Sequence, residues 1–389
     1  MNQKNAQWVC CQLGAREHYA VPRALQTRGL LRELITDLWV RPGTLPNWRN
    51  KLAGRFHPDL AGACVSASNA AAFAFELRAQ ATGLNGWDLI GKRNEWFQNQ
   101  AVDRLERCAR EFDSKDVTVF AYSYAAERIF RFARERGWRT VLGQIDPGPA
   151  EERLVAGCTP AREGYWRQWR TECELANQII VNSQWSRDAL LNEGIPVTRI
   201  RKIPLAVTPH NDAEGFQRAY PATFDGSRPL RVLFLGQINL RKGAAQLLEA
   251  AHLLANDPVE FQLVGPRQIH AGLKQSSKVK WFGTVPRARV DEFYRDADVF
   301  ILPTLSDGFG LTQLEAQSWK LPVIASRFCG AVVQHGRNGL ILNEVSGESI
   351  AATLRELLRS PERVAAMSQE SKVSEEFTLQ SLASSLSQL

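Results

Sequence analysis

Long apolar stretches and paired cysteines are both missing from this 389-residue chain. No run approaches the roughly 18 apolar residues that a membrane-spanning helix needs, and the first residues lack the apolar core of a secretory signal peptide. We therefore expect a cytoplasmic protein. The seven cysteines include no CxxC pair, so the sequence predicts reduced structural thiols and neither a disulfide framework nor a zinc site.

A concentrated charge is also missing. The net charge of +7 is spread along the chain and no nucleic-acid-binding module accompanies it, so we expect no nucleic acid as a partner. One N-terminal segment mixes aromatic and cationic residues, which suits an anionic lipid surface or a phosphate-bearing acceptor. We favour the plainer explanation, a solvated face with ordinary aromatic packing, and leave peripheral association with the inner face of a membrane open. The residues of this segment are Trp39, Arg41, Trp48, Arg49, Lys51 and Arg55.

The length predicts two domains of similar size, because a chain of this length exceeds one ordinary core. Apolar runs that predict strands alternate with helical patterns in both halves, and this alternation predicts parallel sheets with a ligand crevice at the carboxyl ends of the strands. We place the N-terminal domain at 1–208, a polar linker at 209–229, the second domain at 230–376 and a helical final segment at 377–389. Among the predicted strands are Val117–Tyr122, Leu230–Leu235 and Val279–Gly283.

The most informative stretch is 302–315, LPTLSDGFGLTQLE. The apolar run Val299–Leu302 predicts a buried parallel strand that ends at the following proline, since proline cannot donate to a sheet ladder. A turn and a helix over 311–319 follow. Such a helix start offers unpaired N–H groups to an anion, and Gly308 and Gly310 would let a phosphate approach the backbone closely.

Two carboxylates flank this predicted anion site. Asp307 stands at the mouth of the turn, and Glu315 lies about one turn into the helix. Carboxylates do not bind phosphate, so they suit the hydroxyl groups attached to it. The plainer alternative is that Asp307 caps the helix and Glu315 is a solvated helical residue, because short motifs recur by chance.

The stretch resembles the signature of glycosyltransferase family 4, whose members are retaining, nucleotide-sugar-dependent enzymes of GT-B fold. In that signature two acids separated by seven positions bracket Gly-Phe-Gly-Leu. The resemblance implies that Glu315 holds the ribose of the donor nucleotide and that Asp307, where the family usually has Glu, contacts the donor sugar. The residues between the acids, which would join them in donor binding, are Gly308, Phe309, Gly310 and Leu311.

The same resemblance implies the fold class. It is an α/β protein of GT-B fold, in which two Rossmann-like, doubly wound parallel-sheet domains face each other across a cleft. In this fold the last segment, here 377–389, can cross back onto the first domain.

A cationic turn earlier in the second domain offers another anion pocket. It begins at Gly236 and ends in Arg241 and Lys242, just before a predicted helix. The resemblance implies that Lys242 grips the donor diphosphate. Relatives often have Gly-Arg where this chain has Gly236-Gln237, so Arg241 must supply the second positive charge. These cations would neutralise the leaving diphosphate, so we expect no metal and no cofactor.

A short acidic pattern points elsewhere. Asp296 and Asp298 form Asp-x-Asp, which holds a divalent metal in the other glycosyltransferase fold. Both residues precede the strand that starts at Val299 and lie at its end away from the predicted cleft. We therefore favour a structural role over a metal site.

The loop after the first predicted strand faces the donor by the same resemblance. Trp8–Leu13 is that strand, Gly14 begins the loop, and a helix is predicted from about 21 to 32. His18 in this loop is either a contact to acceptor or donor phosphate or a packing residue.

Gln144 and Asp146 follow another predicted strand and should line the same cleft. Many family members have a histidine in this loop that contacts the donor sugar. This chain has none between His57 and His210, so Gln144 or Asp146 is the nearest substitute.

Together these features predict a retaining glycosyltransferase that moves a sugar from a nucleotide-sugar donor to a hydroxyl of a glycan, polysaccharide or lipid-linked acceptor. Two rival classes stay open. One is another GT-B activity, such as a nucleotide-sugar epimerase or a phosphorylase. The other is a catalytically degenerate subunit that binds nucleotide sugar or a partner glycosyltransferase, an alternative motivated by Asp307, Gln237 and the absent histidine.

Overall fold

Two sheets, one in each half of the chain, organise the computed structural model. It describes residues 7–43, 52–110, 116–155, 160–269 and 276–389. The strands of the first half are β1 Gln7–Gln12, β2 Leu31–Thr36, β3 Val65–Ala67, β4 Val117–Tyr122, β5 Arg139–Gly143, β6 Gln178–Val181 and β7 Ile200–Lys202. Those of the second half are β8 Leu230–Leu235, β9 Val259–Val264, β10 Val279–Gly283, β11 Val299–Leu302, β12 Val323–Ala325 and β13 Gly339–Ile341.

Helices cover the faces of both sheets. In the first half they are α1 Ala20–Thr27, α2 Asn69–Ala81, α3 Gly86–Cys108, α4 Glu127–Glu135, α5 Pro149–Leu154, α6 Tyr165–Leu175 and α7 Gln184–Asn192. In the second half they are α8 Ala244–Leu253, α9 Val290–Asp296, α10 Thr312–Ser318, α11 Gly347–Arg359, α12 Pro361–Glu370 and α13 Leu379–Leu386. Since helices lie on both sides, central strands such as β4 and β11 are buried along their whole length, which explains their unbroken apolar sequences.

The strand order fixes where a ligand can bind. The first sheet runs β3-β2-β1-β4-β5-β6-β7 and the second β10-β9-β8-β11-β12-β13. Each order reverses at one point, between β1 and β4 in the first sheet and between β8 and β11 in the second. In open parallel sheets the ligand crevice lies at this reversal, beyond the carboxyl ends of the strands. The loops that follow β1, β4, β8 and β11 therefore form the candidate site.

The chain returns to its first domain at the end. Leu382, Ala383 and Leu386 of α13 lie in the same buried apolar cluster as Ala24 and Leu25 of α1. The last helix thus ties the two domains together by burying its apolar side against the N-terminal sheet layer.

One early prediction is wrong. The helix predicted up to residue 32 ends at Thr27, and β2 begins at Leu31. Gly29 has a φ of 65°, and the amide of Leu30 donates to the carbonyl of Leu25 over 3.0 Å. This is the glycine-based helix end in which the chain reverses and leaves the helix axis, so the apolar residues after it belong to a strand.

Three further features concern membrane-spanning helices, the cysteines and the Asp-x-Asp pattern. In the part of the chain that the structure describes, no helix is long and apolar enough to cross a membrane. None of the six described cysteines forms a disulfide, and five of them are buried. Asp298 forms a two-pronged ion pair with Arg228 at 2.6 and 2.7 Å and accepts from the amide of Arg231, so it joins a loop to a strand end.

Candidate active site

Two loops of the second domain lie side by side at the carboxyl ends of β8 and β11. The carbonyl of Arg241 accepts from the amide of Leu305 at 2.8 Å and from the hydroxyl of Thr304 at 3.1 Å. The Arg241 guanidinium donates to the carbonyl of Ser306 at 3.0 Å. At Gly243 a Cβ would lie 2.1 Å from the carbonyl oxygen of Pro303, so only glycine permits this contact. The two predicted anion loops therefore form one continuous surface.

An ion pair joins the predicted catalytic residues of these loops. The ammonium of Lys242 contacts a carboxylate oxygen of Asp307, and the two side chains are only 15% and 13% exposed. Burial by itself would raise the pKa of Asp307, but the adjacent Lys242 and then Arg241 outweigh it, so this pKa lies below its ordinary value. The site thus holds a buried carboxylate anion beside two cations.

Glu315 faces the first domain. One of its carboxylate oxygens accepts from the hydroxyl of Tyr294 at 2.8 Å, and the other lies 3.7 Å from Nε2 of His18. Burial opposes ionisation, yet the hydrogen bonds from His18 and Tyr294 and the nearby charge of Arg287 lower the pKa of Glu315 below its ordinary value. Glu315 therefore accepts hydrogen bonds as an anion, which is the state that a hydroxyl-binding role needs.

His18 bridges the cleft between the domains. Its Nδ1 lies 2.6 Å from a guanidinium nitrogen of Arg287. Arginine can only donate, so Nδ1 accepts, and a neutral His18 carries its proton on Nε2, toward Glu315. The histidine loop of the first domain and the acid of the second are thus brought together, while the predicted contact of His18 with acceptor or donor phosphate stays a prediction.

The backbone of this loop is strained. Glu17, His18 and Tyr19 have φ values of 51°, 53° and 60°, a left-handed run that costs roughly 1–2 kcal/mol for each non-glycine residue. Hydrogen bonds hold it in place: the amide of Gly14 donates to Asp37 at 2.8 Å, and the hydroxyl of Tyr122 donates to Glu17 at 2.9 Å. Strain of this kind is concentrated at functional sites.

Two cavities open near these residues. One of about 410 Å³ lies between the domains and is lined on the second domain by Asn239, Leu240 and Arg241. The other, of about 780 Å³, lies in the first domain between the ends of β1 and β4 and helices α2 and α3. Both volumes are in the range of small-molecule sites. The site therefore has room for a ligand on each side of the cleft.

Comparison with known proteins finds a family that the second domain resembles. Residues 223–374 match the family model for glycosyl transferases group 1. Over these residues the chain is similar to the glycosyl transferases group 1 family. The match covers the six-stranded sheet and both anion loops.

Most of the curated relatives align with about a third of this chain. The D-inositol 3-phosphate glycosyltransferase of Rhodococcus opacus is 31% identical over 157 residues, which are 36% of this chain and 35% of that protein. The amylovoran biosynthesis glycosyltransferase AmsK of Erwinia amylovora is 26% identical, with 33% and 36% covered. The D-inositol 3-phosphate glycosyltransferase of Acidothermus cellulolyticus is 27% identical over 363 residues, which are 85% of this chain and 72% of that protein. The chain thus spans about a third of the length of the first two relatives.

Solved structures agree over the whole chain. HepE of Anabaena in complex with UDP has a TM-score of 0.66 at 15% identity and covers 98% of both chains. Sucrose-phosphate synthase of Thermosynechococcus elongatus has a TM-score of 0.65, also at 15% identity and 98% coverage of both chains. With the two doubly wound sheets described above, these likenesses confirm the predicted GT-B fold.

Phe309 and Leu311 of the group 1 domain do not lie where the sequence placed them. Phe309 is 3% exposed and belongs to an apolar cluster that includes Phe377, and Leu311 packs against the same cluster. The Phe309 amide is also engaged, because it donates to Asp307 at 3.3 Å. Both were expected to contact the donor. Their side chains instead pack beneath the loop and support it.

The glycines of the group 1 motif serve packing as well as access. A Cβ at Gly308 would lie 2.0 Å from the carbonyl oxygen of Ile145, so this glycine allows the first domain to approach the loop. Gly310 has a φ of 79°, in the left-handed region that favours glycine. At Gly236 no atom of the described residues lies within 4 Å of the place where a Cβ would stand, so its Cα is open to a ligand although its amide donates to the carbonyl of Val264 at 2.9 Å.

Gln144 does not line the cleft as predicted. It is 1% exposed, its amide oxygen accepts from the indole of Trp169 at 2.9 Å, and its amide nitrogen donates to Asp146 at 3.1 Å. Gln144 therefore orients Asp146 from behind. Asp146 lines both cavities, and it also accepts from the hydroxyl of Tyr124 at 2.5 Å.

Glu151 is a site residue that sequence reasoning missed. It lies on α5 of the first domain, accepts from the hydroxyl of Ser306 at 2.9 Å and lies 3.4 Å from Nε of Arg241. Burial raises the pKa of Glu151 to about 7 even though Arg241 opposes this rise. No local pattern marks Glu151, because both partners belong to the other domain.

The aromatic and cationic segment is partly accounted for by protein contacts. Trp39 is buried and packs against Tyr19 and Phe56, and Arg55 pairs with Asp37 at 3.0 Å. Trp48, Arg49 and Lys51 lie outside the described residues. Membrane association therefore stays a prediction.

Proposed function

We propose that this protein is a retaining glycosyltransferase that moves a sugar from a nucleotide-sugar donor to an acceptor hydroxyl. The observation that carries the proposal is the buried pair of Lys242 and Asp307, with Arg241 beside it, at the reversal point of the second sheet. A diphosphate bound there would meet two cations, Lys242 and Arg241. Fixed positive charge at the place where negative charge develops lowers the barrier to its departure.

The reaction that we propose breaks the bond between the anomeric carbon and the donor phosphate oxygen. A new bond forms between that carbon and the acceptor oxygen, on the face that the phosphate leaves. The acceptor proton passes to the departing phosphate oxygen, so the products are the glycoside and a nucleoside diphosphate. Lys242 and Arg241 neutralise the negative charge that the diphosphate gains.

The two acids have separate roles in this proposal. Glu315 accepts hydrogen bonds from the ribose hydroxyls. In the structure, Tyr294 and His18 occupy the places beside Glu315 that these hydroxyls would take. Asp307 contacts the transferred sugar while positive charge develops at its anomeric carbon. For the diphosphate to bind, Arg241 must exchange its contact with Glu151 for the phosphate, and Lys242 must share its charge with Asp307.

The comparisons support the donor class. HepE, which has the same fold, has been crystallised with UDP and with UDP-glucose, and the curated relatives are named as glycosyltransferases. We propose that the acceptor is a glycan or a lipid-linked sugar, reached from the cytoplasm. Co-sedimentation with anionic liposomes tests whether the protein also associates with membranes at their inner face.

A thermal melt with nucleoside diphosphates tests donor binding. A ligand seen only by the native state at about 100 times its dissociation constant adds roughly 2.7 kcal/mol of stability. We expect one of UDP, GDP, ADP or dTDP to raise the melting temperature by several degrees without added metal. If none does, the donor assignment is wrong.

A further inference from the structure

We propose that the cavity between the domains is an acceptor subsite for an uncharged sugar ring, which stacks on aromatic side chains of the first domain. The inference rests on the proposed function, because it names the substrate class of that reaction. The 410 Å³ cavity has Arg241 and its neighbours on one side and Trp87, Tyr165 and Trp166 on the other. A sugar held there would lie beside the predicted diphosphate site.

The aromatic side of this cavity is built before any ligand arrives. The ring centroids of Trp87 and Tyr165 are 4.9 Å apart, and those of Tyr165 and Trp166 are 5.1 Å apart, both edge to face. Tyr124 stacks on Tyr165 at 5.0 Å. Trp87 and Trp166 are half-buried, so they keep surface for a ligand. The C–H groups on one face of a pyranose carry slight positive charge and pack well on the electron-rich face of such rings.

The charges of the cavity oppose an anionic acceptor. Asp146, Glu151 and Glu152 line it, against the single described cation Arg241. Glu151, whose pKa is raised to about 7, contributes only part of a negative charge at neutral pH. Glu152 is fixed in place because it accepts from the indole of Trp166 and, at 2.8 Å, from the amide of Ala161. A phosphate or carboxylate on the acceptor would meet like charges here, which is a common way to exclude wrong partners.

This charge balance becomes more negative when a donor binds. Arg241 then turns toward the diphosphate, so its positive charge no longer offsets the carboxylates of Asp146 and Glu152. The acceptor ring at this position is therefore uncharged. It differs in this respect from the acceptor after which the D-inositol 3-phosphate glycosyltransferases are named.

Asp146 supplies a polar contact for such a ring. One of its carboxylate oxygens already accepts from Tyr124, Gln144 and the amide of Gly148. The other has no hydrogen-bond partner among the residues that the structure describes, and the side chain lines the cavity. A sugar hydroxyl can donate to it.

The subsite continues into the larger cavity. Trp87, Tyr124, Asp146 and Tyr165 line both the 410 Å³ cavity and the 780 Å³ cavity of the first domain. An acceptor longer than one sugar can therefore extend past this shared wall. The structure thus fits an uncharged oligosaccharide end better than a small charged metabolite.

Ligand-observed NMR on the full chain tests the proposal. The protein is first loaded with whichever of UDP, GDP, ADP or dTDP raises its melting temperature. The neutral probes are methyl glucoside, methyl galactoside, methyl mannoside, maltose and lactose, and the charged probes are glucose 6-phosphate, mannose 6-phosphate, glucuronate and galacturonate. We expect at least one neutral probe to bind, on the order of tenfold more tightly than its charged counterpart.

Variants of Trp87 provide the matched control. Trp87→Ala removes the stacking face and should weaken the neutral probe by about tenfold. Trp87→Phe keeps a stacking face and should retain most of the affinity. Both variants should bind the nucleoside diphosphate as the wild type does, which shows that they are folded.

Each of the other possible results contradicts one part of the proposal. Equal or tighter binding of a charged probe contradicts the exclusion of anions, and unchanged binding in Trp87→Ala contradicts the aromatic platform. If no neutral probe binds while a nucleoside diphosphate does, the subsite is wrong and the proposed donor site stands. If no nucleoside diphosphate binds either, the proposed function itself fails.

Discussion

Removing the Lys242 side chain separates its structural effect from its catalytic effect. Lys242 and Asp307 are 15% and 13% exposed, so Lys242→Ala leaves a buried carboxylate without its main partner. Breaking a buried pair in this way costs about 3 kcal/mol, the lower end of the usual range because Arg241 stays nearby. In a domain of this size that loss lowers the melting temperature by roughly 6 to 12 °C.

The catalytic loss is expected to be larger than stability alone explains. Loss of one preorganised charge at a developing anion reduces kcat on the order of a hundredfold or more. We propose to measure the release of free nucleotide from the nucleotide sugar well below the melting temperature of the variant. Unfolding then cannot account for the loss.

A double variant distinguishes the two effects. Lys242→Ala combined with Asp307→Asn removes the buried charge together with its partner, so much of the lost melting temperature should return. Turnover should not return, because the cation that stabilises the diphosphate is still missing. Wild-type turnover in folded Lys242→Ala would refute the assigned role of this lysine.

The remaining predictions concern the two acids, the buried glutamate and one glycine. Glu315→Gln should weaken nucleoside diphosphate binding and raise KM more than it lowers kcat. Asp307→Asn should lower kcat and leave nucleoside diphosphate binding nearly unchanged. If the two variants change binding and kcat equally, these separate roles are wrong. Glu151 has a pKa of about 7 in the folded protein and about 4.5 in the unfolded chain. Between pH 4.5 and pH 7 the folded protein therefore binds more protons than the unfolded chain, and its stability falls as the pH rises. Glu151→Gln should flatten that part of the melting profile, and an unchanged slope would remove Glu151 as its cause. Gly308→Ala should lower the melting temperature, because its Cβ would lie 2.0 Å from a carbonyl oxygen of the first domain. The control Gly62→Ala should not, because no atom of the described residues lies within 4 Å of its Cβ position. Similar melting temperatures for the two variants would show that the domains separate without cost.

The parts of the fold that could be predicted are those whose signals are local. Val117–Tyr122, Leu230–Leu235 and Val279–Gly283 are strands with the predicted limits. Each is a short run bounded by turn residues, so its neighbours in sequence suffice to define it. Helix starts have local chemistry of the same kind: the hydroxyl of Ser183, just before α7, accepts from the amide of Ser186 at 3.0 Å.

The errors arise where the deciding partner is distant in sequence. Gln144 is polar and follows a strand, yet an indole from α6 removes it from the cleft. Phe309 lies within a recognisable motif, but the last segment of the chain buries its ring. Glu151 joins the site only because the second domain closes on it. Neither the periodicity nor the composition of the sequence indicates any of these contacts.

The run of left-handed residues around His18 is a different case. Non-glycine residues avoid this conformation, so no local pattern predicts three of them in succession. The hydrogen bonds from Gly14 and Tyr122 that hold the loop are set by strand order, which places β1 beside β4. The position of His18 opposite Glu315 thus follows from topology.

Following donor turnover by proton NMR tests the central claim most directly. The purified protein is incubated with α-linked nucleotide sugars, and the first products are observed before the released sugar equilibrates. Without acceptor we predict slow formation of free nucleoside diphosphate together with a sugar that is initially the α anomer. With a neutral glycan we predict faster formation of the nucleoside diphosphate together with an α-glycoside of that glycan. An initial β anomer, an altered sugar still attached to its nucleotide, or no turnover of any donor would contradict a retaining glycosyltransferase.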